Sequence, residues 1–63
     1  MPHITGKELA ALSDLLNFEQ AAYKNCASAG QNITDKKVKQ MLRTTGECHK
    51  KRFDDLMSFL SKE

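Results

Sequence analysis

Along two stretches of this chain apolar residues recur at steps of three and four, and neither stretch contains a proline. The first carries Leu9, Leu12, Leu16, Glu19, Tyr23 and Cys26 on one face, widened by Leu15 and Ala22. The second carries Val38, Leu42, Thr45, His49, Leu56 and Phe59, broadened by Met41, Phe53 and Leu60. That period commits both stretches to amphipathic helices. The one proline is Pro2, the three glycines are too few for a turn-rich all-β fold, and Gly46 is the only weak point inside the second helix. The spacing predicts a helix over 5–29, a turn over 30–33 and a helix over 34–61, within a single domain spanning 1–63.

The helix starts carry their own signals. Ile4-Thr5-Gly6-Lys7-Glu8-Leu9 and Ile33-Thr34-Asp35-Lys36-Lys37-Val38 share one plan. A threonine N-cap accepts from a free backbone N–H, and the preceding isoleucine staples onto Leu9 or Val38. Glu8 completes a capping box with Thr5, whereas Lys37 breaks it in the second copy. Gly30 reads as the glycine beyond the first helix, followed by Gln31 and Asn32 in a short turn.

A short connection makes the helices antiparallel, so the expected fold is all-α, an antiparallel two-helix hairpin. A chain of 63 residues buries only about 60% of its unfolded surface and is marginal without a staple or a partner. Leu15, Phe18, Met41, Phe53 and Phe59 cannot all be shielded inside one hairpin. The simplest remedy pairs two hairpins into a four-helix bundle with two-fold symmetry, so a homodimer is expected.

Composition removes several function classes. Ten Lys and Arg stand against eight Asp and Glu, a balance too even for the footprint of an obligate nucleic-acid binder. No apolar run approaches the roughly 20 residues that span a bilayer, and MPHITGKEL lacks the apolar centre of a signal peptide. The expectation is a cytoplasmic protein with reduced cysteines and no membrane partner. There is no Ser-His-Asp arrangement, glycine-rich phosphate loop, paired-carboxylate signature or Cys-x-x-Cys to argue for catalysis. Counting from the turn, Cys26 faces residue 37, some 16 Å along the axis from Cys48, too far for an intrachain disulfide.

Glu47, Cys48 and His49 are adjacent metal-ligand types in TTGECHKKRF, but neighbours on a helix diverge by about 100° and cannot converge on one ion. Only His49 continues the inward stripe. Glu19 sits in the stripe of the first helix, where a carboxylate is costly unless it is paired or bound to a cation. Glu19 and His49 are therefore candidate partners, meeting directly, through water or across a dimer, with Tyr23 one turn along to hydrogen-bond the carboxylate. Two readings stay open, a structural Glu–His–Tyr network that fixes register and a metal site. From Thr34 onward eight Lys and Arg face five Asp and Glu, and Lys39, Arg43 and Lys50 could line one face. That ridge reads as a solvated surface, with an anionic partner as the alternative.

The run Leu12-Ser13-Asp14-Leu15-Leu16-Asn17-Phe18-Glu19-Gln20, then Tyr23, then His49 with Phe53, Leu56 and Leu60, resembles the short coat-F-like spore proteins, themselves similar to half of a ferritin-like bundle. The resemblance implies a spore-associated structural protein, or a ferritin-like one that binds zinc or iron. In the ferritin-like plan each hairpin gives one Glu and one Glu-x-x-His. Glu19 matches the first Glu and His49 the His, but Gly46 stands where the second Glu belongs. A dimer would then offer four ligands, enough for tetrahedral zinc and too few for a bridged di-iron centre. The leading expectation is a non-catalytic structural or interaction protein without a cofactor.

Overall fold

A computed structural model describes residues 4–62; residues 1–3 and 63, the two ends of the span 1–63, lie outside the described residues. The fold is all-helical. Helix α1 runs Gly6–Gly30 and helix α2 runs Lys36–Ser61, and the two pack against each other as a hairpin, with no strand among the described residues.

The start of α1 follows its local chemistry. Thr5 is the N-cap, its hydroxyl accepts from the Glu8 N–H at 3.1 Å, and the Glu8 carboxylate accepts from the Thr5 N–H at 3.0 Å. The backbone bond from Thr5, then its hydroxyl, holds the Glu8 carboxyl below its ordinary value near 4.5. A depressed carboxyl stabilises the fold in full above that value, and the contribution is lost as pH falls through the lower folded one. Glu8→Gln should therefore lower stability at neutral pH and converge on the wild type at acid pH, flattening the profile below about pH 4.5. Circular dichroism melts at a series of pH values would show this.

Three local expectations are corrected. The cap of α2 is Asp35, not Thr34, and its carboxylate accepts from Val38 N–H at 2.9 Å. Aspartate caps at least as well as threonine and favours the positive helix end, which moves the start two residues on from 34 and places Ile33 two positions before the cap. Gly30 is the last helical residue rather than a left-handed stop. Gln31 caps α1 in right-handed geometry, and its N–H reaches the Ala29 and Ser28 carbonyls.

The half-buried positions of α2 are Leu42, Gly46, His49, Phe53, Leu56 and Leu60. Those of α1 are Leu12, Leu16, Tyr23, Cys26 and Gly30, flanked by Gln20 and Ala22, with Glu19 buried in the same row. Both rows step by four and three without a fault, the 3.5-residue period of a coiled-coil seam. Gly46 lies against Cys26; a Cβ built on the glycine would stand 3.1 Å from the Cys26 Cβ. In that register Leu12 faces Leu60, Leu16 faces Leu56, Glu19 faces Phe53, Tyr23 faces His49 and Gly30 faces Leu42.

This register overturns the count from the turn, which set Cys26 against residue 37. Helix α2 begins about six residues, ~9 Å, beyond the end of α1, carried there by the 31–35 connection. The 47 Å length of the molecule, longer than a 25-residue helix, reflects that stagger. It also explains why Leu9 is 47% exposed, because α2 has ended before it reaches that level. Both cysteines are free, with Cys26 in the seam and Cys48 on an exposed flank.

Glycine at 46 is a packing requirement. Gly46→Leu should destabilise the hairpin by about 2 kcal/mol through overpacking against Cys26, despite the better helix propensity of leucine. Adding Cys26→Gly should recover part of that loss. Thermal melts of the two variants test the register directly.

Candidate functional site

The seam changes character at its middle. Leucines close the end near the chain termini, and between them and the turn lie the layers Glu19/Phe53 and Tyr23/His49. Partners sort along the diagonals. Glu19 Oε1 meets His49 Nδ1, and with the proton on Nδ1 the imidazole donates to the carboxylate. Tyr23 packs edge-on against Phe53, ring centres 6.0 Å apart. Glu19 is 6% exposed, the only buried residue among those described, and Arg52 Nη1 lies 4.0 Å from its second oxygen. Phe18 stands edge-on to the His49 ring at 6.1 Å and covers it from one flank.

Glu19 and His49 thus meet directly, one of the arrangements the sequence left open. The structure gives Tyr23 no hydrogen bond to the carboxylate; its ring faces Phe53 and carries the Lys50 ammonium 5.8 Å from its centre. Arg52, counted from sequence as part of a basic surface, instead closes the carboxylate network. Its signal was available, since it stands directly before the seam residue Phe53, which faces Glu19. Glu47 and Cys48 are exposed and stand apart from Glu19.

One chain does not offer a metal its usual surroundings. Glu19 and His49 are two ligands where zinc takes four, no three His, Cys, Asp or Glu gather among the described residues, and a guanidinium already lies beside the carboxylate. The imidazole nitrogen aimed at Glu19 is already used in that contact.

The two faces flanking the seam differ. Residues just before each seam position fall on one side and those just after on the other, and in an antiparallel pair the two helices share these sides. The first side carries Ala11, Leu15, Phe18 and Ala22 from α1, with Val38, Met41, Thr45, Cys48 and Phe59 from α2, and Asn25, Arg52 and Asp55 as its further polar members. Among the large exposed apolar residues, Leu15, Phe18, Val38, Met41 and Phe59 all lie here. The second side carries Ser13, Asn17, Gln20 and Lys24 with Gln40, Arg43, Glu47, Lys50 and Asp54; Met57 is its one large apolar residue. Near the turn this second side opens into a groove.

Comparison with protein-family models, with curated proteins and with solved structures gives no match. Among the described residues no helix is long and apolar enough to cross a membrane.

Proposed function

We propose that this chain is a non-catalytic interaction module that pairs with a second copy of itself through its apolar side. The resemblance of its Glu19, Tyr23 and His49 pattern to coat-F-like spore proteins supports a role for such a module in a spore-coat assembly. One observation carries the self-association: among the described residues no apolar side chain is buried, while most of the large exposed ones collect on one side. Loss of that surface from water is the main force available to a chain of this size. The hairpin measures 47 × 16 Å across, which matches the ~800 Å² per partner of a stable interface. A second copy is the occupant that fits. Leu15 and Phe18 of α1, with Phe59 of α2, lie toward one end of the hairpin, and Val38 and Met41 of α2 toward the other. A two-fold axis across the long direction brings each onto the other and completes a four-helix bundle.

The test is sedimentation of the purified protein over a hundredfold range of concentration, paired with thermal melts. A dimer whose melting temperature rises with concentration supports the proposal. A monomer with a concentration-independent melt rejects it.

The Glu19–His49 contact favours a second reading, a ferritin-like dimer in which these residues from each chain hold zinc or iron. It requires the partner copy, because one chain supplies too few ligands. Elemental analysis of freshly purified protein separates the readings. Stoichiometric metal that disappears in Glu19→Ala and His49→Ala would establish the second; metal-free dimer leaves the first.

A further inference from the structure

Near the turn, on the polar side, a groove of ≈ 520 Å³ runs between the last turns of α1 and the first half of α2. It exists because Gly30, Ala27 and Gly46 leave the helices thinly clothed there, while Tyr23, Cys26 and Leu42 form an apolar floor. Lys39, Arg43 and Lys50 stand around it with one carboxylate, Glu47. Asp54 engages Lys50 through both oxygens at 2.9 Å. Among the described residues Lys39 and Arg43 have no carboxylate within ion-pair distance, although Glu47 is one helical turn from Arg43. The final carbonyls of α1, the negative end of its dipole, are taken up by the N–H groups of Gln31, Asn32 and Ile33.

We infer that this groove binds a single-chain amphiphile with an anionic head, a long-chain carboxylate, its tail along the floor and its head between Lys39 and Arg43. Both parts of the ligand are read from the lining. The volume is within the ~300–1,000 Å³ of small-molecule sites, which join apolar walls to a few convergent polar groups. Two cations without acidic partners complement one anion; they are too few to track a phosphate backbone. The site stands apart from the self-association proposed above, being on the opposite side of the hairpin.

Tyr23 lines the groove and is the only tyrosine in a chain without tryptophan, so its fluorescence reports on occupancy. Dodecanoate, titrated below its micelle concentration, should change that emission saturably. Dodecyltrimethylammonium, of equal tail and opposite head, should not, and neither should acetate. Lys39→Glu with Arg43→Glu should weaken binding at least ~10-fold, whereas Lys36→Glu with Lys37→Glu, an equal charge change outside the lining, should leave it intact. Ala27→Phe, which fills the groove from an exposed position, should abolish the response. The inference is overturned if the cationic amphiphile binds equally, if both charge-reversed pairs behave alike, or if dodecanoate gives no saturable change. A monomeric mass in sedimentation would reject self-association and leave this result standing.

Discussion

Replacing His49 by leucine should cost this protein about 2–4 kcal/mol, and replacing Glu19 by leucine in the same chain should restore the loss in full. The single change leaves the Glu19 carboxylate, 6% exposed, without the imidazole that donates to it. Arg52 remains, but at 4.0 Å and with a side chain 62% exposed, so it compensates only partly. Leucine adds apolar surface at a seam position, and that gain is smaller than the cost of a buried charge without its partner. Globular proteins hold about 0.05–0.15 kcal/mol per residue, so a chain of 63 residues has about 3–9 kcal/mol in total, and the single variant should lose a large share of it.

The double variant removes the charge together with its partner. It extends the leucine seam of Leu12, Leu16, Leu56 and Leu60 through the middle of the hairpin, and buried ion pairs replaced by apolar residues are commonly neutral or stabilising by 1–4 kcal/mol. Urea titrations of the wild type, both single variants and the double variant form a complete cycle. Strong coupling between the two positions is the expected result. Additive losses would mean that the contact contributes nothing as a pair. The cycle also bears on function, because a wild type that carries no metal, together with a double variant that keeps the dimer, would show that Glu19 and His49 serve the fold alone.

The legibility of this chain follows the range of each interaction. The Thr5–Glu8 capping box was readable because every atom in it lies within one turn of helix. The Glu19–His49 contact was readable because a carboxylate and an imidazole each interrupt an apolar row, and such interruptions seek one another. Gly46 was missed. From Leu42 the row reaches His49 either through Thr45, a step of three then four, or through Gly46, a step of four then three; glycine has no side chain to announce itself. Continuing the second choice through Phe53, Leu56 and Leu60 keeps the alternation unbroken, and that regularity was the available signal. The stagger was beyond local reading, because it depends on how closely Cys26 and Gly46 approach, a matter of packing between segments distant in sequence.

The proposed pairing of two hairpins is tested most directly at Phe18. Its side carries most of the large exposed apolar residues among those described, and it is 61% exposed although it packs edge-on to the His49 ring. In a two-fold dimer each substitution acts twice, once from each chain. Burying a phenylalanine is worth about 1.5–3 kcal/mol, so Phe18→Glu should remove ~3–6 kcal/mol from association before the desolvation of two carboxylates is added. That corresponds to a dissociation constant at least ~100-fold weaker, and Met41→Glu, at a residue 64% exposed on the same side, should act alike. Met57→Glu is the control. Its side chain is 46% exposed, but it lies on the polar side, so the same chemical change there should leave the dimer as it was. Sedimentation of the three variants reads the difference. If Met57→Glu dissociates the protein and Phe18→Glu does not, the hairpins pair through the other face; if none of them does, apolar burial on either face is not what holds the copies together.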